Sequence, residues 1–302
     1  MTTARERAAQ LIAQSDRMPW SPECGALLLD AAAVAEAGGE DQLGYTARMR
    51  LVNNSSFVHD SDLLLSTFSQ CLQQYYRDPD RFPLVPDYPE LGCPWVGAPG
   101  LPWYWKWVCS RLIDNPAVSL ADLQQTVEEM AEFYRSAGLP AKAVLQERLA
   151  LAVHRGDLPA VRERLDELAI TPDDDNTDCA ACSRSSLASA ALACGDDERA
   201  MTIVAELLDH GLTCVDEPAY GMALVLEALA KAHRFEDLVT YQARSAVSLT
   251  GPEFLHLLSP HVAIIAQCGH PRRAMTLVNR HLSWLAHDKV NVAVLFRALL
   301  GI

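Results

Sequence analysis

The sequence predicts an all-α chain built from antiparallel helix pairs stacked into an α-solenoid, broken by one long proline-rich loop. Three observations lead there. Half of the residues are apolar, mostly Ala and Leu, and Gly and Pro cluster between periodic stretches rather than inside them. That distribution suits helix over strand. A layout of glycine or break, polar residues and then an apolar ladder recurs at Gly156-Asp157, Gly195-Asp196, His233-Arg234 and Gly269-His270. Finally, 302 residues are many for one globular core but ordinary for a stack of helical pairs.

The repeat is clearest in DDERAMTIVAELL and HPRRAMTLVNRHL, which place Ala200 and Ala274 in the same slot five residues after a glycine. Ala200, Ile203, Val204, Leu207 and Leu208 fall on one helical stripe, and Ala274, Leu277, Val278 and Leu282 repeat it. Gly195 and Gly269 are 74 residues apart, two steps of 37 with the His233 segment between. A helical stretch precedes each ladder, so the unit is a helix pair.

In chain order, residues 21–37 and 39–54 read as a pair, with Ser21 as N-cap before Pro22. Residues 61–76 form a third helix, capped by Ser61 or Asp60. Arg77 to Pro102 follows, its repeated prolines forbidding helix interior. A loop of that length is usually functional or disordered. Helices resume at Trp103 and continue at 119–137, 140–154 and 157–168, before a polar break from Thr171 to Asp178. The expected organisation is therefore N-terminal helical pairs over 1–76, a Pro- and aromatic-rich loop over 77–102, and helical repeats over 103–302.

The net charge of -14 argues against nucleic acid as a partner, because phosphate binding draws on a surplus of Lys and Arg. Arg272, Arg273 and Arg280 read as a solvated helix face. No stretch is apolar for the roughly 18 residues of a membrane span, and Met1 to Gln14 lacks the apolar centre of a secretion signal. Nine scattered cysteines do not form a disulfide framework and read as reduced thiols in a cytoplasm.

Cys179 and Cys182 form a CxxC on the expected first turn of a helix, a spacing that can put two thiolates on one metal ion. Cys214 lies in the turn after the following helix, and a helical hairpin would return that turn to the start of the first. A tetrahedral zinc site needs a fourth ligand. His210 is the local candidate, giving C-x2-C-x27-H-x3-C, with Glu217 or Asp178 as weaker options. Structural zinc, ordinary buried thiols and a redox CxxC are all readings of this pattern. The redox reading lacks its usual βαβ context. The run Asp173 to Asp178 fails as an EF-hand loop, since Asp178 stands at the glycine position and Arg184 at the glutamate position.

Four of the six tryptophans lie between residues 95 and 107. Exposed, Trp95, Trp103 and Trp105 would anchor a partner interface. The competing reading, which the sequence favours, is that these rings fill the join between two halves of the stack. Histidines 256, 261, 270, 281 and 287 have spacings poor for a shared face and read as scattered surface residues. No HExxH, GxSxG, Walker or dinucleotide motif occurs. The remaining enzymatic reading is a site beneath the 77–102 loop using Asp87, Glu90 or Cys93.

The layout resembles a tetratricopeptide-repeat solenoid with slightly long units. More closely, WYWKWV (Trp103 to Val108), DCAAC (Asp178 to Cys182), LTC (Leu212 to Cys214) and GPEFL (Gly251 to Leu255) resemble a poorly characterised family of large tetratricopeptide-like proteins from high-GC bacteria. The resemblance implies a right-handed α-solenoid and brings no established activity. It also implies a CxxC, a later cysteine and a histidine five residues beyond it, where this chain has Ala219.

The expected function is a protein- or peptide-binding scaffold with a structural zinc site, its acidic balance favouring a basic partner. A metal- or redox-responsive regulator built on Cys179, Cys182 and Cys214 is the alternative. The final stretch VNVAVLFRALLGI is apolar throughout, whereas a terminal repeat needs a polar outer face. It is expected to dimerise, pack back or continue into a longer array.

Overall fold

A computed structural model of the chain describes residues 2–58, 60–94 and 99–285. These are helical apart from turns, loops and one isolated antiparallel bridge, Tyr88 to Cys93. The chain divides into two compact units, Met1–Arg111 and Leu112–Ile302. The division falls within a helix rather than at either end of the 77–102 segment, because that segment packs onto the first unit.

In the first unit, α1 (Ala4–Ser15) starts with a Thr3/Glu6 capping box and α2 (Pro22–Ala37) with the predicted Ser21 cap. The third helix, α3 (Asp41–Phe57), is buried from Leu43 to Ser56 and packs against α1, α2 and α4 (Ser61–Arg77). Of the two cap candidates for α4, Asp60 accepts the Leu63 N–H. A helix buried on every face must satisfy its polar side chains internally. Arg50 does so by donating to Asp16 Oδ2 at 2.7 Å and to the Pro94 carbonyl at 3.0 Å. Arg48 pairs with Glu36 and Gln74. The proline-rich segment is tied down in the same way. The Tyr45 hydroxyl donates to the Pro83 carbonyl at 2.8 Å, and the buried Phe82 ring meets Tyr45 edge-on beside the guanidiniums of Arg77 and Arg81.

The helix α5 (Leu101–Ile113) carries the tryptophan-rich stretch. The second unit comprises α6 (Leu120–Ser136), α7 (Lys142–Arg155), α8 (Leu158–Ile170), α9 (Ala180–Ala193), α10 (Asp197–Asp209), α11 (Ala219–Leu224), α12 (Leu226–Lys231), α13 (Phe235–Ala246), α14 (Leu255–Gln267), α15 (Pro271–Arg280) and α16 (Leu282–Leu285). Most helices adjacent in sequence pack together, and so do helices two apart, such as α7 with α9, α9 with α11 and α12 with α14.

The four predicted repeat starts share one turn. Gly156, Gly195, His233 and Gly269 have φ of +67°, +75°, +57° and +84°. The residue after each donates its N–H to a carbonyl five positions back, at Ala152, Ala191, Leu229 and Ile265, over 2.9–3.1 Å. This is the bond of a Schellman cap, whose left-handed residue is normally glycine. Five residues after each turn, Val161, Ala200, Leu238 and Ala274 are all buried among side chains of the preceding helix. The stripe holds in α10, where Ala200, Val204 and Leu207 are buried. In α15 it stops early: the helix ends at Arg280, and Leu282 is 56% exposed rather than part of the ladder.

Two histidines depart from the surface reading. His261 is fully buried and His281 nearly so, with the His281 ring nitrogen Nδ1 2.9 Å from the Leu277 carbonyl and its ring against Trp284. The stretch at residues 290–302 lies outside the described residues.

Candidate metal centre

The α9–α10 hairpin brings its own two ends together. Cys179 is the N-cap of α9, where its backbone is extended and its Sγ accepts the Cys182 N–H at 3.5 Å. Cys182 follows one turn along. At the far end, α10 stops at Asp209, and Gly211 (φ +61°) turns the chain with a Leu212 N–H to Leu207 carbonyl bond of 3.1 Å. Cys214 then lies beside the start of α9. The three sulfur atoms are all within 4.8 Å of one another.

Both strands of this junction are anchored from outside the cysteines. Gln146, a buried residue of α7, accepts the Asp178 N–H at 3.0 Å and donates to Ser183 Oγ at 3.1 Å. It thereby clamps the residues on either side of the CxxC. Lys142 holds the preceding loop through the Thr171 carbonyl and the Asp173 carboxylate, each at 2.6 Å. On the Cys214 side, the Cys214 N–H donates to the Glu217 carbonyl at 3.2 Å, and the buried Glu217 carboxylate accepts the Gly221 N–H at 3.0 Å. A Cβ at Gly221 would come within 3.0 Å of Ser185 Oγ and 3.2 Å of Glu217 Oε2, so a larger residue there would make these side chains give by a few tenths of an ångström. Burial raises the affinity of Glu217 for its proton, against the opposing effect of the Gly221 N–H and the nearby Ser185 hydroxyl.

The three thiols are electrostatically unequal. Burial pushes Cys179 up, but the N–H groups of Cys182 and Ala181 and the neighbouring thiols outweigh it, leaving Cys179 below the ordinary thiol range. Burial pushes Cys182 and Cys214 up, and negative charge on Cys179 adds to this. The helix start therefore holds one thiolate readily, whereas three together call for a cation.

The donor set fits a thiophilic ion. Tetrahedral zinc with bonds of about 2.3 Å to sulfur sets its sulfur atoms about 3.8 Å apart, within reach of small side-chain adjustments here. Zinc bound at Cys179, Cys182 and Cys214 would cross-link the start of α9 to the loop after α10.

Among the described residues, only the three cysteines form a donor group within 4.8 Å of one another. His210 is the C-cap of α10, before the Gly211 turn that carries Cys214 to α9, and it does not belong to the donor group. Nor do Asp178 and Glu217. The tryptophan prediction separates into three cases. Trp95 lies outside the described residues. Trp103 is half-buried beneath the Lys106 ammonium, 3.4 Å from its ring centre. Trp105 is 3% exposed with its ring edge on Phe68, so it is a core residue of the first unit and offers no surface. An exposed aromatic pair lies elsewhere, where Trp20 stacks on Phe57 at 5.7 Å, and Phe57 meets the partly buried Trp107 at 6.0 Å. Spacing along the chain gives no sign of this grouping. Beneath the proline-rich segment, Asp87 and Glu90 are exposed while Cys93 is buried among α1, α2 and α3, so these three do not gather.

No protein-family model matches the chain, and no functionally curated protein matches it either. Among the described residues, no helix is long and apolar enough to cross a membrane.

Proposed function

We propose that this protein is a helical-repeat scaffold for a protein or peptide, in which zinc at Cys179, Cys182 and Cys214 fastens the α9–α10 hairpin. The convergence of three sulfur donors from two separate segments carries the metal reading. When bound, zinc supplies a cross-link that neutralises thiolate charge and adds its binding energy to the folded hairpin. For the scaffold reading, the support is the recurring Schellman turn and the contacts between helices two apart, which suit a right-handed, tetratricopeptide-like stack of the kind found in the high-GC bacterial family the sequence resembles. Nine free cysteines suit a reducing cytoplasm, and the net charge of -14 suits a partner with basic character. In the first unit, Trp20, Phe57 and Trp107 form the aromatic surface best placed to anchor one.

The test is metal content of protein purified without chelator or affinity-tag metal, beside a Cys179→Ser, Cys182→Ser double variant. One zinc per chain, lost in the variant, supports the centre; a metal-free native protein sinks it. For the scaffold, binding to a captured partner should weaken as salt is raised, and salt-independent binding would remove the charge argument.

One observation favours a second reading, a thiol switch. Cys179 has the lowered proton affinity of an attacking thiolate, with Cys182 and Cys214 adjacent. Metal-free protein in which oxidised glutathione forms a disulfide among these cysteines and alters partner binding would select that reading over zinc.

A further inference from the structure

We propose that the thiolate centre holds its ion through three protein ligands only, and keeps a solvent-side fourth position for a neutral nitrogen donor, an imidazole, from a second molecule. This rests on the metal reading above and goes beyond it in assigning the centre an external ligand.

Three observations carry the inference. Among the described residues, the only donors that converge are the three sulfur atoms. None of the local candidates for a fourth place, His210, Asp178 and Glu217, belongs to that group. His210 is the C-cap of α10, and Glu217 is buried with an oxygen accepting the Gly221 N–H, an arrangement that also holds the loop of Cys214. Second, Cys179 and Cys214 are exposed and only Cys182 is partly covered, so the sulfur triangle has a face toward solvent. A closed structural zinc site surrounds its ion with four protein ligands, and one with three keeps a place for water or another molecule.

Third, charge selects the kind of ligand. Three thiolates and a divalent ion carry a net charge of -1, and the cysteines at the two ends of the junction are flanked by Asp178 and Asp216 in a chain of net charge -14. The nearest cation in sequence, Arg184, turns a guanidinium nitrogen toward the Ala180 carbonyl at 3.4 Å. A carboxylate or thiolate in the fourth place would take the centre to -2 in these surroundings. An imidazole leaves the charge unchanged and is a common zinc donor. Its natural source is a histidine side chain of a partner molecule, which would make docking at this hairpin metal-dependent.

The test uses the reduced 302-residue chain loaded with Co(II), which occupies thiolate sites as zinc does and reports its ligands by absorption. Thiolate-to-cobalt charge-transfer bands show that the cysteines bind. Imidazole is then titrated, with acetate as the anionic comparison. The expected result is a saturable shift of the visible ligand-field bands with imidazole, with the charge-transfer bands retained and a weaker response to acetate. A His210→Ala variant should behave identically. Charge-transfer bands with ligand-field bands that imidazole does not move would show an internal fourth ligand and overturn the proposal. So would loss of the charge-transfer bands, which would mean imidazole strips the ion rather than joining it. Failure to develop charge-transfer bands at all would overturn the metal reading itself, and with it this extension.

Discussion

Protonation of His261 is the perturbation whose cost follows most directly from the structure. Ser245 Oγ donates to the Ala219 carbonyl at 2.7 Å, so its lone pair accepts from His261 Nε2 at 3.1 Å, leaving Nδ1 as the unprotonated nitrogen. Among the described residues Nδ1 is buried without a hydrogen-bond partner, and burial pulls the proton affinity of the ring down from the ordinary 6.5 to about 4. Between those values the unfolded chain binds a proton that the folded chain excludes. The stabilisation is thus fully present above about pH 6.5 and is lost as pH falls through 6.5 toward 4. At about 1.4 kcal/mol per pH unit, the whole effect is roughly 3 kcal/mol, of which about 2 kcal/mol is gone at about pH 5. The assay is urea unfolding followed by far-ultraviolet circular dichroism at several pH values between neutrality and about pH 5, for the native chain and His261→Leu. The variant leaves Ser245 bonded to Ala219 and has nothing to titrate. Its fixed cavity and packing cost does not vary with pH, so the difference between the two proteins should shrink on acidification. Parallel losses of stability in both would refute the assignment to His261.

Other expectations concern the repeat turns, the junction and the core. Gly195→Ala should cost about 1 kcal/mol through backbone conformation alone, since a Cβ there meets nothing within 4 Å. His233→Gly, in the same left-handed slot, should stabilise by a similar amount, and calorimetry of the pair would show whether these two turns are equivalent. Gln146→Ala removes both bonds that clamp the start of α9 and should destabilise by about 2 kcal/mol, with faster amide exchange at Asp178 measured by mass spectrometry. Gly221→Ala should weaken cobalt binding by displacing Glu217 and the Cys214 loop; unchanged affinity would show that the loop is held by other contacts. Trp105→Ala should cost about 3–5 kcal/mol in denaturant unfolding, whereas an exposed binding residue would cost almost nothing in the free protein.

The sequence by itself determined the helical class, most helix limits and the places where the repeat restarts. Those features depend on neighbours within a few residues: apolar spacing, Ser21 and Asp60 as caps, and glycine where a Schellman turn needs positive φ. It even marked His233 as equivalent to the glycines, through its position before an apolar ladder. The convergence of Cys179, Cys182 and Cys214 was also legible, because a hairpin of known helix lengths must return its ends together. Only the tertiary structure decided that His210 is not among the converging donors, although it lies four residues from Cys214. It alone showed Gln146 clamping the CxxC from 32 residues away, Trp105 buried on Phe68, and Trp20 stacked on Phe57. The burial of His261 belongs with these. A side chain's environment is the sum of contacts from segments distant along the chain, and spacing within one helix carries no record of them.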